Sequence, residues 1–125
     1  MTIINEHRPM NKINIQHLDE MFTDLMKSDY IPFEEIKKMK NTMGVYMIYS
    51  PEGELIYIGS TNKFNIRFGT DLRHESTHTL VRKLINQGVF VDRKAAVEYL
   101  TTKCKFLIQV CETKREAEAL EHFII

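Results

Sequence analysis

The sequence predicts a small α/β (α+β) domain: a three-stranded antiparallel sheet flanked by helices, preceded by an N-terminal helical extension. Three observations carry this prediction. Two short runs rich in Val, Met, Ile and Tyr, 43–50 and 54–59, stand on either side of Pro51-Glu52-Gly53, which is the pattern of a hairpin. A third run, CKFLIQVCE (104–112), arrives after a series of helical segments and most economically adds to the hairpin already present. The remaining segments repeat apolar residues at three-to-four spacing. With 125 residues, 43% of them hydrophobic, the chain has the size of one domain and enough apolar surface for a core without disulfides.

Taken in order, residues 1–12 are polar, contain Pro9 and show no period, so an irregular arm is expected there. Leu18, Met21, Phe22, Leu25 and Met26 then recur at helical spacing with acids between them, predicting an amphipathic helix over about 15–28. Pro32 stands ahead of FEEIKKM (33–39), whose early acids and late lysines suit a short helix. Residues 1–41 therefore read as an arm and helical extension packed on a domain spanning 42–125. After the hairpin, Ser60-Thr61-Asn62 offers a cap for a helix carrying Phe64, Arg67, Phe68, Asp71 and Leu72, weakened at Gly69 by about 1 kcal/mol relative to Ala. Thr77 caps a further segment with Leu80, Val81, Leu84 and Ile85 as its stripe and Gly88 as its stop. Asp92 starts another, with Ala96, Val97 and Leu100 inward. Thr113 and Glu116 form a capping box for the closing helix.

Seventeen Lys+Arg balance seventeen Asp+Glu, so overall charge argues for no class of partner. Residues 60–94 are locally basic, with Lys63, Arg67, Arg73, Arg82, Lys83, Arg93 and Lys94 against Asp71, Glu75 and Asp92. Such a stretch suits a phosphate-binding face or an ordinary solvated helix surface. Cys104 and Cys111 stand roughly 23 Å apart if the strand is extended and cannot pair there. With no basic-then-apolar leader, this points to a reduced, cytoplasmic protein. No run approaches the roughly 20 apolar residues of a bilayer span. Two cysteines and five scattered histidines show no zinc-ligand spacing.

Within GVYMIYSPEGELIYIGSTNKFNIRFG (44–69), each hairpin run carries a Tyr beside a Gly. Side chains alternate along strands, so an even loop places Tyr46 and Tyr57 on one face and an odd loop places them on opposite faces. Tyr49 and Tyr99 read as ordinary strand and helix residues. Arg67, eight residues after Gly59, lies early in a helix from which a guanidinium can reach back towards the strand end and fork onto phosphate. His74 and His78 follow. In the closing helix Glu121 lies about 40° round from Ala117 and about 60° from Ile124, beside the apolar stripe, where a carboxylate needs water, a partner or a metal. Glu118 faces out and Glu116 is taken by capping, which leaves Glu121 as the acidic candidate.

GVY (44–46), YIG (57–59), Arg67 and the late helical EAEALEHFII together resemble the GIY-YIG nuclease domain over about residues 42–125. The likeness is to the N-terminal nuclease domain of the bacterial repair excinuclease and to GIY-YIG homing endonucleases, in a small stand-alone form. The resemblance implies an endonuclease that hydrolyses a DNA phosphodiester with one divalent cation, Mg²⁺ or Mn²⁺. It implies that Glu121 holds the metal, and that Tyr46 and Tyr57 sit at the attacked phosphate, one positioning or deprotonating the water. It implies that Arg67 binds the phosphate and that His78 assists as a proton acceptor. Lys63, Arg67, Arg73, Arg82 and Lys83 are the expected DNA contacts, with duplex or branched DNA as the partner and a role in repair or on structured DNA.

Three positions depart from the family pattern. Ser60 follows YIG where the repair branch tends to have Lys, Asp71 stands where homing endonucleases tend to have His, and Ile125 precedes the Asn that many members carry after the metal helix. Target recognition would come from a protein partner or an additional DNA-binding subunit. The alternative reading is a catalytically inactive nucleic-acid- or protein-binding module on the same fold, working through the Met-bearing helix of the extension.

Overall fold

A computed structural model describes residues 8–71, 88, 90 and 92–125. The described elements are α1 (Arg8–Lys27), α2 (Phe33–Ile36), β1 (Met43–Tyr49), β2 (Leu55–Thr61), α3 (Phe64–Ile66) with a π-helical turn over Arg67–Asp71, α4 (Arg93–Thr102), β3 (Lys105–Cys111) and α5 (Lys114–Ile124). The three strands form one antiparallel sheet in the order β2-β1-β3. The late strand does pair with the hairpin, on the free side of β1.

β1 is central, and its alternation sorts the core into two layers. Tyr46 and Ile48, with Phe106 and Ile108 of β3, pack against Phe33 and Ile36 of α2, Phe64 and Phe68, and Ala96 and Leu100 of α4. Val45, Met47 and Tyr49, with Leu107 and Cys111, face α1 and α5 through Leu18, Met21, Leu25, Ala117 and Leu120. Periods of two in the strand and about 3.6 in the helices bury both faces of the sheet. Gly44 lets β1 and β3 meet closely, because a Cβ there would overlap the carbonyl oxygen of Gln109.

The extension differs from its expected form. The described helix already runs from Arg8, so the expected irregular arm over 1–12 is wrong from that residue on. Pro9 stands in its first described turn. The Met-bearing face is turned mostly inward, with Met26 left exposed. Met21 and Leu25 are buried against the protein's own sheet, and His17 Nε2 lies 2.7 Å from Glu116 Oε2 of α5. α2 spans four residues rather than the seven expected.

The hairpin holds a further surprise. Ser50 N–H donates to the Glu54 carbonyl at 2.7 Å, so the loop is the odd, three-residue Pro51-Glu52-Gly53, with Gly53 at φ +93°. An odd loop alone would separate the tyrosines. The register, however, shifts by one residue between Tyr49↔Leu55 and Ile48↔Tyr57, leaving Ile56 as a β-bulge. That extra residue returns Tyr57 to the face of Tyr46, which stands opposite Gly59.

Candidate active site

Tyr46, in the central strand, is only 2% exposed. Its ring lies across β2 over Gly59: a Cβ on Gly59 would stand 2.6 Å from the Tyr46 hydroxyl and 3.0 Å from Tyr57 Cε2. Glycine at that position is thus a steric requirement of the two phenols. The Tyr46 and Tyr57 rings stack with centroids 6.0 Å apart and planes inclined by 30°, and their side chains are hydrogen-bonded. Phe68 supports Tyr46 edge-on at 5.1 Å.

Burial pushes the Tyr46 phenol well above the usual tyrosine range. Tyr57 and the Glu121 carboxylate raise it further, while the Arg67 guanidinium opposes them. All three groups are therefore close enough to Tyr46 to act on its ionisation. Arg67 arrives at the first residue of the π-helical turn, a local widening of the helix that often accompanies functional side chains.

Glu121 approaches from the other layer. Thr113 caps α5 by accepting from Glu116 N–H at 3.0 Å, and Glu116 Oε1 accepts from Glu112 N–H at 2.9 Å. Ala117 and Leu120 seat the helix on β1 and β2, which brings Glu121 to the outer strand. There Ser60 Oγ donates to Glu121 Oε1 at 2.6 Å. Ser60 is thus a strand residue bound to the acid and not a helix cap. The actual N-cap of α3 is Lys63, without a side-chain cap bond, and Lys63 N–H donates to Thr61 Oγ1 at 3.1 Å.

Beside these groups a polar cleft of about 270 Å³ opens between the β2–α3 corner and α5, lined by Ser60, Thr61, Asn62, Arg67, Lys114, Ala117 and Glu118. Glu118 lines this cleft from the exposed face of α5, in keeping with its outward placement. Lys114 and Asn62 were not singled out from the sequence, because the pairing of β2 with α5 that brings them together leaves no trace in local spacing. Of the sequence candidates, Tyr46, Tyr57, Arg67 and Glu121 gather here. Lys63 is exposed at the start of α3. His78, Arg73, Arg82 and Lys83 lie outside the described residues.

Among the described residues no three His, Cys, Asp or Glu side chains cluster as a metal cage. Among the described residues, the carboxylates at this polar cleft are Glu118, which lines it, and Glu121, whose Oε1 is held by the Ser60 hydroxyl beside it. This fits a single hard cation that keeps most of its ligands as water or substrate oxygen, and it does not fit zinc. Also among the described residues, no helix is long and apolar enough to cross a membrane.

Two stacked phenols, a guanidinium and the Glu121 carboxylate thus stand near one another at the edge of a small three-stranded sheet. The family model described as the GIY-YIG catalytic domain matches residues 42–125, and the chain belongs to that family. No curated protein and no solved structure matches the chain significantly, so the finer likeness to the repair excinuclease and to homing endonucleases rests on the quoted residues alone.

Proposed function

We propose that the protein is a divalent-metal-dependent endonuclease that hydrolyses phosphodiester bonds in duplex or branched DNA with low sequence preference, of the kind used on repair intermediates. The observation that carries this reading is the stacking of Tyr46 and Tyr57 over Gly59, with Arg67 and Glu121 both acting on the Tyr46 phenol. Glycine at position 59 leaves room for the Tyr46 ring to cross β2 and stand beside Tyr57. Arg67 forks onto the phosphate oxygens and stabilises the charge that develops on them.

One of the two tyrosines orients the attacking water and takes its proton. Burial works against this at Tyr46, since it favours the protonated phenol. Positive charge is therefore required beside the pair, and Arg67 supplies part of it. Glu121 would hold Mg²⁺ or Mn²⁺, which when bound supplies Lewis acidity at the phosphate. His78 is proposed as an auxiliary proton acceptor. The binding-module alternative keeps less apolar surface on α1 than the sequence suggests, because Met21 and Leu25 are part of the core while Met26 stays exposed.

The test is nicking of supercoiled plasmid and cleavage of a branched oligonucleotide with Mg²⁺, Mn²⁺ or EDTA, for the wild type and Glu121→Ala. Cleavage that needs the metal and disappears in the variant is the expected result. Equal activity in both proteins would remove Glu121 from the mechanism, and no cleavage by the wild type on any substrate would leave a non-catalytic family member.

A further inference from the structure

The hydroxyl of Ser60 is hydrogen-bonded directly to the proposed metal carboxylate. Ser60 leaves β2 on the layer that faces α5, one residue beyond the glycine over which Tyr46 passes, and lines the polar cleft with Ala117 and Glu118. The bond is short, 2.6 Å, partly buried, and joins elements 61 residues apart in sequence. A hydroxyl in that position has one proton to give, and Glu121 Oε1 receives it. A glutamate side chain is otherwise free to rotate about three torsions, and fixing one oxygen fixes the direction of the other.

We propose that Ser60 is the positioning residue of the cation site: by holding Oε1 of Glu121 it fixes the direction of Oε2, the oxygen left to take a divalent ion. The inference rests on the reading of Glu121 as the metal carboxylate. Ser60 touches neither the substrate nor the ion. It acts through Glu121, as groups bonded to metal ligands do elsewhere, where their removal weakens metal binding about 10–100-fold. The hydroxyl also binds the edge strand to α5, so the same contact that aims the acid keeps it beside the tyrosines of the opposite layer.

The experiment is titration of Mn²⁺ alone, without DNA, into the wild type, Ser60→Ala, Ser60→Thr and Glu121→Ala, followed by calorimetry and by loss of the free Mn²⁺ paramagnetic signal. Thermal melts are recorded on the same samples. Ser60→Ala is expected to bind Mn²⁺ about 10–100-fold more weakly with its fold intact, Ser60→Thr to restore binding to near wild type, and Glu121→Ala to abolish it. If Ser60→Ala does not fold, the near-isosteric Ser60→Cys, a weak donor, carries the comparison and should also bind more weakly. Equal Mn²⁺ affinity in the wild type and the folded variant lacking the hydroxyl overturns the role of Ser60 alone. Absence of Mn²⁺ binding by the wild type overturns the cation site itself, and the role of Ser60 with it.

Discussion

At Gly59 and Gly44 the same substitution meets different obstacles. A methyl group on Gly59 runs into the hydroxyl end of Tyr46 and the ring of Tyr57, whereas one on Gly44 runs into the Gln109 carbonyl of the neighbouring strand. Side chains can turn away, but a main-chain carbonyl moves only if the strands part. Gly59→Ala should therefore fold, with a loss of about 1–3 kcal/mol, and lose cleavage by about 100-fold through displacement of the phenols. Gly44→Ala should show the larger loss of stability of the two. Urea denaturation and plasmid nicking, measured side by side, check both halves of this contrast. The glycine of GVY serves the sheet, and the glycine of YIG serves the site.

At the scale of elements, α5 is the support of the acid, and its cap is what starts it in the right place. Thr113→Ala removes the bond to Glu116 N–H and should cost about 1 kcal/mol, seen as a lower urea midpoint with unchanged slope. This cap was legible in the sequence, as were both hairpin strands, the third strand and the Asp92 start of α4, where Ala95 N–H donates to the Asp92 carboxylate at 2.8 Å. Each depends on residues within a few positions of one another. What could not be read depends on pairing at a distance. The bulge at Ile56 is forced by how β2 meets β1, and loop parity alone gave two opposite answers for the tyrosines. Ser60 looked like a cap because Ser-Thr-Asn ahead of an apolar period usually is one, and its true partner lies in α5. The π-helical turn that carries Arg67 is likewise invisible to a search for a 3.6-residue period.

For the whole molecule, zero formal charge hides a local excess of basic residues over 60–94 of the sequence. The cleft places Arg67 and Lys114 on opposite walls, one from the β2–α3 corner and one from the first turn of α5. If a DNA strand lies there, its affinity must fall as salt rises, by a slope of about 0.9 in log–log terms per phosphate contact. Lys114→Ala should flatten that slope by about one contact and weaken all sequences alike, as read by fluorescence anisotropy of a labelled branched oligonucleotide in EDTA. An unchanged slope would place the strand elsewhere. The layering of the site has a consequence for its assembly as well. Tyr46, Tyr57 and Arg67 come from one hairpin and the turn after it, so little chain is looped to bring them together. Glu121 joins them only across 61 residues, when α5 docks on the far side of the sheet. If the proposed function holds, the site is complete only when α5 has docked on the sheet, so loss of that one helix would part the acid from the tyrosines while the hairpin keeps its own pairing.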